Sequence, residues 1–228
     1  MLFLGTVALI STYVFLPLLY ENFVAKSLQN GFGLEEAPEV DLSRGSPRGI
    51  LAGEFKDGRV TFANPELVGG VPPDGMTVDL DPFDLDVLGS VASGRIRSEE
   101  PISGSFQAEL SEEKVARIAA SSNATAPVRS VELEEGRLVV GSEVEVLGAH
   151  IPVGVDAGLS LQNGTLRFEP RLVEAFATPV PERLTQGLLR GAEFTYPIGE
   201  LPFGELSGVE IQRDRLVLTG EVKNLPLG

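Results

Sequence analysis

Apolar positions in this chain follow first a helical and then a two-residue period. From Leu2 to Tyr20 the run LFLGTVALISTYVFLPLLY holds no charged residue. As a helix it would span roughly 28 Å, close to the hydrocarbon core of a bilayer. Tyr20, Val24, Leu28 and Phe32 then continue at intervals of four, with Phe23 widening the stripe and Glu21, Lys26 and Gln29 elsewhere. The spacing predicts one helix that leaves the apolar run and lays a face against the rest of the chain. Gly31 and Gly33 are placed to end it. Glu35 to Pro47 reads as an acidic, Pro-containing connector with a short strand near Val40 and Leu42.

Beyond Gly49 a strand–turn–strand unit recurs. It reads Glu54–Phe62 around Asp57-Gly58, Glu132–Val140 around Glu135-Gly136, Ser160–Phe168 around Asn163-Gly164, and Glu210–Leu218 around Arg213-Asp214. Asp-Gly and Asn-Gly are strong two-residue hairpin signals because both central residues tolerate positive φ. Met76 to Leu88 alternates, slips by one step at Pro82 and alternates again. That predicts one long bent strand with a dry face and an acidic face. Ile102–Leu110 alternates as well, and Ile151–Leu161 keeps one dry face over an unusual length. Two short helices are expected. One starts at Ser111 and buries Val115, Ile118 and Ala119; the other runs from about Pro181 to Arg190. The expected class is α+β, an antiparallel hairpin meander curled around helices.

Composition narrows the function. Thirty-three acidic against 18 basic residues leave a net charge of −15, and no Lys/Arg patch stands out. Nucleic acid, whose phosphates require clustered cations, is not an expected partner. There is no cysteine and a single histidine, His150, so disulfides, thiolate sites and His-rich metal centres are excluded. No G-x-S-x-G elbow accompanies His150. Asp79, Asp81, Asp84 and Asp86 alternate along a strand, which spreads carboxylates instead of converging them on a cation. No catalytic residue, metal ligand or cofactor site is nominated.

The apolar N-terminal run reads as an uncleaved anchor, with a cleaved signal or a buried core helix as the alternatives. A basic n-region and a small-x-small cleavage site are both missing. The expected division is residues 1–20 as anchor or signal and 21–228 as one domain. The domain's size and polarity, with no second span, favour a single-pass cell-membrane protein whose C-terminal domain lies outside the cytoplasm.

The order of elements resembles the LmeA-like phospholipid-binding family of actinobacterial cell-envelope proteins. The resemblance rests on Gly49-Ile-Leu-Ala-Gly53, read as a strand, and on the helix start Leu110-Ser111 to Val115. Leu166-Arg-Phe168-Glu-Pro170, Leu201-Pro202-Phe203-Gly204 and Leu216-Val-Leu218-Thr-Gly220 complete it. It implies a strongly twisted sheet around helix enclosing an apolar tunnel, the tubular lipid-binding architecture, with phospholipid as ligand and no catalytic residues. The dry-face residues nominated to line that tunnel are Phe62, Val78, Leu80, Phe83, Leu85, Val153, Val155, Leu159 and Phe168. Two readings stand beside it. One is a non-catalytic envelope interaction module whose core is filled by these residues, its protein partner unknown. The other is a hydrolase or transferase using unmarked carboxylates.

Overall fold

The computed structural model describes residues 2–227 except 44–45, 64, 66–70, 94, 122–127, 147–148, 176–177, 180–193, 199–200 and 202. For residues 2–16 only the backbone path is described. Helix α1 (Leu2–Phe32) is continuous through Pro17 for 31 residues, roughly 46 Å at the α-helical rise. It ends at Gly33, whose φ of +65° only glycine adopts without cost. Val24, Ala25 and Leu28 are buried, and Tyr20 and Phe32 are half-buried. Phe23 does not join them and is 59% exposed. At 100° per residue the buried face is centred between Val24 and Leu28, and Phe23 points away from it. Among the described residues no helix is long and apolar enough to cross a membrane. The side chains of residues 2–16, which make up most of the uncharged run, lie outside that description.

Strands β1 (Glu39–Leu42), β3 (Gly58–Ala63), β4 (Gly75–Leu80), β6 (Gly104–Ser111), β13 (Gly204–Gln212) and β14 (Arg215–Val222) form the first large sheet, in the order β1-β3-β4-β6-β14-β13. Alternation decides its faces: β3, β4 and β6 bury every second residue. α1 packs on β1, and the Glu21 carboxylate accepts the outward-facing Leu42 N–H at 3.4 Å. That covers an otherwise open edge. Aromatic rings then link the helix to the sheet: Tyr20 on Phe55, Phe32 on Phe62 and Phe203, and Phe203 on Phe106, with centroids 5.4–5.6 Å apart.

Three expectations fail in this region. Gly49–Gly53 is not a strand but lies in and at the end of helix α2 (Pro47–Ala52). There the Ser46 hydroxyl accepts the Gly49 N–H, and Gly53, at φ +87°, closes the C-terminus. The Glu54–Phe62 unit is not a hairpin: β2 (Glu54–Phe55) pairs with β5 (Phe83–Asp84), while β3 pairs with β1 and β4. Met76–Leu88 is not one bent strand either. It breaks at Asp81-Pro82, β5 leaves the large sheet, and helix α3 (Val87–Ser93) begins. The Asp86 carboxylate accepts the Gly89 N–H at 2.8 Å, so a residue read as one of a wet-face series serves as a helix cap.

The second sheet is the expected meander: β7 (Val128–Glu134), β8 (Arg137–Val146), β9 (Ala149–Gln162) and β10 (Thr165–Ala175), with β11 (Thr178–Pro179) and β12 (Phe194–Pro197) both on β10. Its two tight turns fall where expected, with positive φ at Gly136, Asn163 and Gly164, and Asp214 makes the equivalent turn between β13 and β14. Helix α4 (Glu112–Ser121) buries Val115, Ile118 and Ala119 as expected and contacts β6, β14, β7 and β12. It therefore bridges both sheets, and Glu112 accepts the Leu133 N–H of edge strand β7 at 2.7 Å. The sheets also meet at their hairpin tips, through Gly136 N–H to Ile211 O and Asp214 N–H to Leu133 O, at 2.9 and 3.0 Å. One contiguous apolar cluster draws on both. Every pairing among the described residues is antiparallel. The expected single sheet is thus two large sheets and the small β2–β5 pair. The expected helix at Pro181–Arg190 lies outside the described residues.

Candidate functional site

Two inner faces converge on one cleft. Across the first sheet the register aligns Val40, Val60, Val78, Phe106, Gly220 and Leu206 in a single row. All but Leu206 are buried. Leu206, on edge strand β13, is half-buried because the row ends there. Across the second sheet Leu161, Leu166 and Tyr196 align, with Leu159 opposite Phe168 two residues further along β9. Leu159, Leu161 and Tyr196 are half-buried against the core.

Between the two row ends lies a cleft of about 710 Å³, lined by Leu161, Asn163, Gly164, Thr165, Pro197, Leu201, Gly204, Glu205, Leu206 and Ser207. This volume suits a small-molecule or lipid site. Its lining is divided. Leu161, Leu201 and Leu206 continue the apolar faces inward, while Asn163, Thr165, Glu205 and Ser207 supply hydrogen-bonding groups. Glu205 is itself paired with Lys223 at 2.6 Å. The Asn163-Gly164 turn that forms one wall is dictated by local chemistry, since both residues hold φ near +50 to +69°. The cleft thus offers apolar side chains to a ligand's hydrocarbon and polar groups to its head on one open surface.

Eight of the nine residues nominated from sequence, Phe62, Val78, Leu80, Phe83, Leu85, Val153, Val155 and Phe168, are at most 8% exposed and belong to the shared core. Leu159 is the exception, half-buried two residues along β9 from the cleft-lining Leu161. The structure brings the nine onto inward faces, but none lines this cleft. Leu161, Leu201 and Leu206 are cleft residues that the sequence reading does not nominate. Only Leu161 carries a signal, as the last apolar position of the alternating β9 run.

The aspartate series does not converge. Asp79 pairs with Arg59 at 2.7 Å, Asp81 accepts the Ser103 hydroxyl, and Asp86 caps α3. Among the described residues no group of three or more acidic or histidine side chains is placed to hold a metal ion. A second cleft, of about 510 Å³, lies at the hairpin junction and is lined by Glu112, Glu132, Leu133, Glu134, Glu135, Arg213 and Asp214.

The chain belongs to the LmeA-like phospholipid-binding family, which it matches across residues 12–221. The match begins inside α1 and ends on β14, so it takes in both sheets and the cleft-forming strands of this LmeA-like protein. No curated protein and no solved structure matches the chain.

Proposed function

We propose that this protein binds phospholipid, with acyl chains received through the cleft between the β9–β10 turn and β13 and the headgroup held at its polar rim. Membership of a phospholipid-binding family is the observation that carries this reading. The cleft, at which the apolar faces of two sheets end, supports it. In the same reading Leu2–Tyr20 is a membrane anchor and the remaining residues form one lipid-binding domain outside the cytoplasm. Its role is to hold, and in the fuller form of the proposal to transfer, lipid, without catalysis. The nine inward residues would form the walls behind the mouth in the manner of a tubular lipid-binding protein.

The test is native mass spectrometry with lipid extraction on the full chain, alongside the variants Leu161→Trp and Leu206→Trp. Both positions are half-buried, so a larger ring fills the cleft without entering the packed core. Wild type is expected to carry a stoichiometric phospholipid adduct that either variant loses while keeping the parent's far-UV circular dichroism. A bare wild-type protein that also rejects added fluorescent phospholipid would overturn the reading. The near-complete burial of eight nominated wall residues favours a second reading, an envelope interaction module with a filled core. That bare outcome would support it.

A further inference from the structure

The molecule has two poles. In the first sheet Leu42, Gly58, Leu80, Gly104 and Val222 share one end in register, while Ala63, Gly75 and Arg215 lie at the other. α2 and the β2–β5 pair precede or follow residues of the first end, and Tyr20 of α1 reaches Phe55 there. The second sheet is tied to the opposite end through Ile211 and Leu133. From the β9–β10 turn, strand β9 runs back 14 residues to Ala149, roughly 46 Å at ~3.3 Å per residue. His150, which is exposed, therefore marks the pole away from α1 and α2.

Exposed large apolar side chains collect at the first pole. Among the described residues five stand out: Leu18, Leu19, Phe23, Leu51 and Leu172, from 41% to 59% exposed. The first three lie on α1, Leu18 and Leu19 at the end of the uncharged run and Phe23 just beyond it, and Leu51 lies on α2, which packs against α1. Leu172 stands apart from them, on β10. Leu19 and Phe23 are four residues apart and occupy one stripe outside the face that meets the sheet. Each helix also carries an exposed cation next to its apolar group. Lys26 follows Phe23 by three residues on α1, and Arg48 precedes Leu51 by three on α2. The nearby Glu21 is turned to the Leu42 N–H instead. Apolar side chains beside a long cationic one suit the boundary between acyl chains and headgroups, where the stem is buried and the charge stays wet. In a chain of net charge −15 this arrangement falls at the end where the apolar helix emerges.

We propose that the α1–α2 end docks into the interface of the bilayer that holds Leu2–Tyr20. Leu19, Phe23 and Leu51 sit below the phosphates, and Lys26 and Arg48 lie at phosphate level. The proposal rests on the anchoring reading above and extends it to a second element. It stands the domain on the membrane through α2, with the Ala149 end of β9 pointing away.

The chain has no cysteine, so single labels can be placed cleanly. Phe23→Cys, Leu51→Cys and His150→Cys in the full chain, with Ile10→Cys as a marker of the anchor, would carry an environment-sensitive fluorophore. Each would be reconstituted in phosphatidylcholine–phosphatidylglycerol vesicles with and without spin-labelled lipid. The first three positions leave the core untouched. Labels at positions 23 and 51 are expected to be quenched several-fold more than the label at 150. A label at 10 that is quenched while the label at 51 behaves like that at 150 would overturn the docking and leave the anchor standing. Failure of quenching at 10 as well would remove the anchoring reading and the docking with it.

Discussion

Gly220 shows how much of this interior depends on a missing side chain. It faces Phe106 across β14 and β6, and a Cβ there would meet both the Phe106 ring and the Glu205 carbonyl. Backbone cannot yield as a flexible side chain does, so Gly220→Ala should cost about 2–3 kcal/mol through overpacking. Gly136 gives the contrast: its φ of +70° strains alanine, but nothing lies within 4 Å of the added carbon. Gly136→Ala should cost about 1–2 kcal/mol, and urea denaturation of the pair separates crowding from backbone strain. Equal losses would mean that both the Phe106 ring and the Glu205 carbonyl give way. Asp74 is one carboxylate that ties stability to pH. Burial opposes its ionisation, but the Ser111 N–H at 2.6 Å and the Lys114 ammonium at 3.0 Å prevail and hold its carboxyl below the ordinary 3.8. The folded pKa is the lower one, so this contribution is complete above the unfolded value and disappears as pH falls through the folded value. Asp74→Asn should lower stability at pH 7 and flatten the acid limb of a stability–pH profile below about pH 4. An unchanged limb would assign the acid sensitivity to other carboxylates.

Helix α2 is six residues long and carries the exposed Leu51, so its caps matter more than its propensity. Ser46→Ala removes the acceptor for the Gly49 N–H and should cost about 1 kcal/mol, whereas Ser46→Asp should retain most of it. A calorimetric melt in which both variants match the parent would show the cap to be idle. The two large sheets also have edges, each met by a helix carboxylate, Glu21 on β1 and Glu112 on β7. Glu112→Ala strands the partly buried Leu133 N–H and should cost about 1–2 kcal/mol, with increased aggregation on partial heating as the second readout. These elements also divide into those legible in the chain and those that are not. Three of the four expected hairpins form, and they are legible because Glu-Gly, Asn-Gly and Arg-Asp sit at turns that require positive φ. α4 is legible because its buried residues recur at helical spacing behind acidic residues. α2 and α3 are not, since Ser46-Pro47 and Asp86 are cap chemistry ahead of short apolar stretches whose length also fits a strand. The Asp57-Gly58 signal misleads because tertiary pairing overrides it: β3 finds partners on both sides, and β2 is drawn to β5. The cleft is illegible for a similar reason. Leu161 and Leu206 lie far apart in sequence and become neighbours only through the docking of two sheets.

At the scale of the molecule, burying acyl chains cannot by itself drive loading from a membrane. A methylene withdrawn from water gains about 0.8 kcal/mol, but a lipid in a bilayer has already secured that gain. Uptake therefore exchanges one apolar environment for another, and its rate depends on how the cleft approaches the donor. That approach is electrostatic at long range. Thirty-three acids against 18 bases surround the domain with negative potential, and Glu205 sits at the rim of the cleft. Donor vesicles rich in anionic lipid should therefore be repelled until salt shortens the Debye length, from about 30 Å at 0.01 M to about 8 Å at 0.15 M. With the full chain held in phosphatidylcholine nanodiscs, uptake of fluorescent phospholipid from anionic donors should accelerate over that range. Uptake from zwitterionic donors should stay level. If the anionic rate instead falls with salt, attraction governs the encounter, and the acidic surface around the cleft is not where donors are met.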